Sequence, residues 1–291
     1  MNPTLSAHAT QPQKADAIEG ITLSREELFV VLRLIKTPAM TGFDTSWARV
    51  DAAGEPVGEA LEAVRVGTDA LIARGYLTIL PPTTAGARPH LEAPAPVVAL
   101  VGVCARSPFV VRVAGFAGGV YQEFFIGQLG PLGALHSTPL PNVHLFMPFK
   151  GRAGVLKAVV TLLGVDGAQA SGGQLGVASF DGIQRAFQAE QARNAEGMRL
   201  AVRQALGSQD GREGIAHGIE ESLAHDPIWT QLTVGTHNAS GATIERNLFT
   251  LAGAGSAWLF SPLPEDPSLL GVYTASVDRV GDWVNAQLPV M

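Results

Sequence analysis

Two histidines, His136 and His144, flank a proline-containing turn in the stretch GALHSTPLPNVHLF, residues 133–146. Imidazole is the side chain whose proton affinity lies nearest neutral pH, and it is the commonest metal ligand. In a chain with only seven histidines and one cysteine, this pair is the first place to look for chemistry. Hairpin register decides whether the rings can meet. With a four-residue turn, Thr138–Pro141, they point to opposite faces; with a three-residue turn, Pro139–Pro141, they are direct cross-strand partners. Both registers are open to the sequence. Zinc would need at least one more protein ligand, and no Cys, Asp or Glu accompanies the pair within the stretch. The histidines therefore read as structural, with a hydrolase centred on them as the alternative, and no metal is expected.

Other chemistry is sparse. The chain contains no G-x-S-x-G, H-E-x-x-H, C-x-x-C or G-x-x-x-x-G-K-[ST] pattern, so the usual serine-hydrolase, zinc-protease, redox and phosphate-loop signals are missing. GQLGPLG spaces its glycines by three without completing a dinucleotide fingerprint. His225–Asp226 closes a helix ahead of Pro227, where a histidine suits the helix dipole. Glu220 and Glu221 are adjacent and cannot share a helix face. Asn238 opens an N-A-S sequon, which is idle in a cytoplasmic protein. Cys104 sits in the apolar run VVALVGVCA and reads as a buried, inert thiol. No catalytic residue and no cofactor is expected.

The elements that must carry these residues follow from composition and periodicity. With 46% hydrophobic and 16% charged residues in a chain of 291, a substantial core is available. A net charge of −6 disfavours a general nucleic-acid surface, which needs clustered Lys and Arg. The first twenty residues read as a disordered tail without a signal-peptide core, and no apolar run is long enough to span a bilayer. A cytoplasmic location is expected.

Ser24 and Glu27 form a capping box, with Leu23 and Leu28 as its hydrophobic staple; the helix they open is barred by Pro38. A second helix spans about Pro56 to Arg74, YLTIL is a short strand, and residues 81–94 are a proline-rich loop or linker. A helix from Pro96 to about Arg106 precedes an alternating run in which FVVRVAGF and VYQEFFIG flank AGG, a hairpin signal. LGALHS and NVHLFMPF extend it, GRAGVLKAVVTLLGV returns to helical spacing, and DGAQASGGQLG is flexible by composition. Helical spacing then runs from Phe180 to Leu206 as one long helix with a polar middle, EQARNAEG. A shorter helix ends at Pro227, four strands follow, and Ser276 caps a closing helix.

Helix, antiparallel strands, helix thus occurs twice, at about 95–164 and 177–288. Strands clustered between helices point to α+β. The expected architecture is two pseudo-symmetric halves, about 21–164 and 177–288, each an antiparallel meandering sheet flanked by helices, preceded by an N-terminal helical segment, within one domain spanning 21–288.

A winged-helix DNA reader over residues 21–80 is a rival reading. That segment holds six basic residues (Arg25, Arg33, Lys36, Arg49, Arg65, Arg74) against eight acidic ones, a poor supply for phosphate contacts.

In order and texture the chain resembles the EspG-like family, the cytoplasmic chaperones associated with mycobacterial type VII (ESX) secretion. The resemblance lies in ITLSREELFVVLRLI, ALEAVRVGTDALIARGYL, and APVVALVGVCARSP leading into FVVRVAGF, and again in NLFTLAGAGSAWLFSP before the capped helix SVDRVGDWVNAQL. It implies a mixed α/β fold with pseudo-twofold halves and non-catalytic binding of a helical protein partner, whose apolar tip would be covered in a groove. No family binding motif maps residue by residue. The partner-binding candidates are positional: Phe116, Gly118, Gly119 and Tyr121 in the hairpin GFAGGVYQEF, and Phe187 and Met198 on the polar-centred helix. The aromatics are of the kind enriched at binding hot spots.

Overall fold

The capping box forms as the spacing requires. The Ser24 amide donates to Glu27 Oε2 at 2.7 Å, and the Glu27 amide donates to Ser24 Oγ at 3.2 Å. Leu23 and Leu28, the staple, are fully buried. The computed structural model describes residues 19–37, 39–81, 90–117, 120–166, 168, 172–207, 213–224, 227–237, 243–253 and 255–289. Pro38, Gly118, Gly119, His225, Asp226, Asn238, almost all of the expected tail and much of the 81–94 and 166–176 loops lie outside the described residues.

Ser24 ends a strand that sequence alone did not reveal, β1 (Ile21–Ser24), and starts α1 (Arg25–Leu34). Then come α2 (Glu59–Ala73), β2 (Thr78–Leu80), β3 (His90–Glu92), α3 (Ala95–Arg106), the meander β4 (Phe109–Ala117), β5 (Val120–Leu129), β6 (Leu132–Leu140), β7 (Val143–Lys150), and α4 (Gly151–Leu162). The second half repeats this: β8 (Gly176–Ser179), α5 (Phe180–Gln191), α6 (Ala195–Leu206), α7 (Glu213–Ala224), β9 (Ile228–His237), β10 (Thr243–Gly253), β11 (Ser256–Pro262), β12 (Leu269–Thr274) and α8 (Val277–Gln287).

The two meanders do not form separate sheets. They share one ten-stranded sheet in the order β1-β7-β6-β5-β4-β9-β10-β11-β12-β8. Its strand pairs are all antiparallel. The join is β4 against β9, from Phe109↔Thr236 to Phe116↔Trp229, and an antiparallel pair is the arrangement a local twofold axis produces. The registers match on either side of it. Ser24 lies opposite Val143 as Ser179 lies opposite Leu269; each serine caps the helix that follows. His136 lies between Phe125 and Phe146 as Phe260 lies between Phe249 and Val272.

Side chains alternate across a sheet, and the two faces are covered differently. One face carries Val111, Val113, Leu232, Val234 and Leu248 under α4 and α8, a continuous core across the axis. The other face carries two separate cores: one under α1–α3 around Leu28, Leu100 and Phe146, the other under α5–α7 around Phe187, Trp229 and Phe260.

The long helix expected over 180–206 is two helices. Arg193 takes φ 54°, and Asn194 starts α6 by accepting from the Gly197 amide at 2.9 Å. The physical reason is the polar middle: an unbroken rod there would bury little, whereas folding back packs Ala186 and Phe187 in one core with Ala201 and Val202. Gly182 makes the approach possible, since a Cβ there would sit 2.5 Å from that of Ala205.

Candidate functional site

Neither hairpin register considered for the histidines occurs. Leu140 pairs with Val143 across a two-residue turn, Pro141–Asn142, and Asn142 takes φ 62°. Between Leu140 and Ser137 strand β6 carries one residue more than β7, a β-bulge, and a bulge resets the alternation beyond it. His136 therefore opposes Phe146, and His144, two residues along, shares its face. The rings meet with His136 Nε2 and His144 Nδ1 2.9 Å apart.

Both rings are buried, at 0% and 5% exposure, within aromatic walls: Phe125 and Phe146 stack on His136, and Phe43 meets His144 edge-on. Burial pushes His136 down to about 3, reinforced by His144, and pushes His144 down to about 4. Two neutral rings can share one proton between their facing nitrogens, one donating and one accepting. A residue from the α1–α2 connection, Gly42, closes the site from above: with φ +78° and Phe125 ring carbons 2.3 Å from where its Cβ would be, only glycine fits. The pair is thus a polar contact sealed inside a core. Among the described residues no group of three or more His, Cys, Asp or Glu is arranged to hold a metal.

The winged-helix reading loses four of its six phosphate ligands to carboxylates. Arg25 pairs with Glu26 and Glu59, Arg33 with Glu55, Arg65 with Glu62, and Arg74 with the buried Glu27. The segment's helices pack on the sheet and on each other.

The open surface is elsewhere, at the centre of the sheet on the face that α4 and α8 do not cover. Here β5, β4, β9 and β10 each place one polar, partly exposed side chain, Glu123, Arg112, Gln231 and Asn247, around the buried Ala114 and Thr233 and between the α1–α3 and α5–α7 layers. Arg112 pairs with Glu123, and Tyr121 donates to Glu123 Oε1 at 3.4 Å. Partial burial, then the Glu123 carboxylate, holds the Tyr121 hydroxyl above its ordinary range. Across the axis Asn247 Oδ1 accepts from Thr233 Oγ1 at 2.7 Å and from Gln231 Nε2 at 3.2 Å. On the reverse face of the same strands Val113, Leu232 and Leu248 are fully buried. One side of the sheet's centre is thus structural; the other presents hydrogen-bonding groups to solvent.

The candidate contact residues distribute unevenly over this surface. Phe116 meets Tyr121 at 5.2 Å and Phe187 at 5.6 Å between centroids, with tilted rings, so the structure brings three of them together. Phe116, Phe187 and Met198 are nevertheless core residues, 6%, 5% and 2% exposed, whereas Tyr121 is 42% exposed. Of the described candidates, Tyr121 alone offers substantial surface; Phe116 backs it, Phe187 lies against Phe116, and Met198 belongs to the same core as those two. Gly118 and Gly119 lie outside the described residues. Arg112, Glu123, Gln231 and Asn247 escaped sequence reasoning. A charged or amide residue at an inward position of an apolar strand was the available signal, legible only once strand register was known.

No protein-family model and no curated protein matches this chain. Among solved structures it is similar to the Mycobacterium tuberculosis type VII secretion system chaperone EspG5, determined in complex with a PE25–PPE41 dimer. The match has a TM-score of 0.55 and 13% sequence identity, and covers 93% of this chain and 97% of that one. At that identity the likeness is one of fold: the mixed α+β, EspG-like architecture with its paired halves.

Proposed function

We propose that this protein is a non-enzymatic, cytoplasmic chaperone or adaptor that holds a helical protein partner on the central strip of its sheet. The observation that carries this reading is the asymmetry of the sheet's centre: one face is sealed by α4 and α8, while the other exposes Arg112, Glu123, Tyr121, Gln231 and Asn247 between two helical walls. Such a trough suits a helix or helical hairpin laid across the strands, with polar side chains fixing its register and Tyr121 supplying an aromatic contact. The similarity to a chaperone solved with a PE25–PPE41 dimer supports a protein partner at the level of fold. A secretion substrate is the partner class this suggests.

Affinity purification from the native host, followed by co-expression with each recovered small helical protein, tests it. A soluble complex that dissociates on Tyr121→Arg or Glu123→Arg is expected. Absence of any soluble complex, or a complex indifferent to both substitutions, contradicts the assignment.

A further inference from the structure

A cavity of about 490 Å³ lies between α1 and the 45–50 segment, far along the chain from the sheet strip. Its floor is Phe29 and Leu32, both buried in the α1–α3 core, and its outer wall includes Ala48 and Val50. Phe29 is backed by Trp47 at 5.0 Å, and Trp47 by the Arg25 guanidinium at 4.3 Å, so the apolar wall is braced from behind. Two cations share this space with the hydrocarbon: Arg33 and Lys36.

We propose that this cavity binds a small anionic amphiphile, an aliphatic chain ending in a carboxylate. The volume falls in the usual range for small-molecule sites, which are mostly apolar with a few placed polar groups. Arg33 gives one N–H to Glu55 Oε2 at 3.2 Å and one to the Gly54 carbonyl at 3.3 Å. A guanidinium has five, so donors remain. Lys36, exposed just past the helix end with φ 55°, has no ion pair among the described residues. The Asp44 carboxylate, which keeps its charge, is held by the Ser46 amide and hydroxyl and is not among the residues that line the space. Both charged side chains that line the space are cations, and Glu55 offsets Arg33 alone, leaving Lys36 unpaired among the described residues beside an apolar floor. The Thr45 hydroxyl also lines the space and suits a carboxylate head, whereas that of Thr37 is taken by the Ile35 carbonyl and the Arg106 guanidinium.

The site belongs to the first half only. Twenty-four residues connect α1 to α2, and they supply the outer wall; three connect α5 to α6. Its existence is independent of the partner proposed above.

Calorimetric titration of the full chain with decanoate, decanol and phosphatidylglycerol vesicles tests it. Saturable 1:1 decanoate binding is expected, with decanol weaker by roughly tenfold, the scale of one charge-assisted contact. Lys36→Glu should weaken decanoate by a similar factor and leave decanol unchanged, and Ala48→Trp, which fills the cavity from its partly exposed wall, should abolish both. Equal affinity for decanoate and decanol, insensitivity to both substitutions, or vesicle binding without free decanoate binding would each overturn the proposal. Thermal unfolding of both variants, expected near that of the parent, separates lost binding from lost fold.

Discussion

The two halves use one blueprint and fill it with different chemistry. At the position where the first half places His136 and His144, the second places Phe260 and Leu270, at matching registers and equally buried. The first half anchors its opening helix with Ser24, Glu27 and Arg74, while the second has Ser179 alone, with Gly182 where Glu27 would be. It also loops 24 residues over its sheet where the second turns in three. What this teaches is that the fold requires the strand order and the serine caps, since both halves keep them. The histidine lock, the buried ion pair and the cavity are additions specific to the first half.

The histidine pair should break the equivalence most. Both rings ordinarily titrate near 6.5, and folding lowers them to about 3 and 4. As pH falls through 6.5 the unfolded chain takes up two protons that the folded protein refuses, so stability is full above 6.5 and declines towards pH 4. Between pH 7.5 and 5 the loss is roughly 3–4 kcal/mol, readable as a shift in urea midpoint. Giving the first half the residues of the second, His136→Phe with His144→Leu, should remove that pH dependence; a variant retaining it places the titration elsewhere.

Glu27→Ala comes next. It strips a buried carboxylate from a capping box and from Arg74, which donates to both its oxygens at 2.7 and 2.9 Å. The loss should be about 2–4 kcal/mol, below the full cost of breaking a buried pair because Arg74 is partly exposed. Gly42→Ala, confined to the first half's loop, combines an unfavourable positive φ with a clash against Phe125 and should cost about 2 kcal/mol. Ser179→Ala is the smallest: the cap of α5 is a single hydrogen bond, worth about 1 kcal/mol. Chemical denaturation at constant slope orders all three, and equal losses for Glu27→Ala and Ser179→Ala would erase the distinction between the two anchors.

Much of the layout was legible along the chain. Ser24, Pro96 and Ser276 marked the starts of α1, α3 and α8, and the two runs flanking AGG pair as β4 and β5. Cys104 is buried as its surroundings implied, with desolvation pushing its thiol up to about 12. The edge strands β1 and β8 were not legible. Each is four residues long and pairs with a strand about a hundred positions away, so neither length nor periodicity announces it. The bulge at Ser137–Leu140 was equally hidden, because the turn signals allowed several loop lengths and only packing against Phe43, Phe125 and Phe146 selects the one that buries both rings.

By itself the sequence determined most of the elements: where α1, α3 and α8 start, which runs alternate, and that the order repeats. Local signals suffice there, since caps, prolines and side-chain period act over a few residues. Tertiary structure alone decided that ten strands form one sheet, that two histidines meet, and that the sheet's centre stays uncovered on one face. Those outcomes depend on pairing between distant segments, whose energy is set by which apolar faces they bury together.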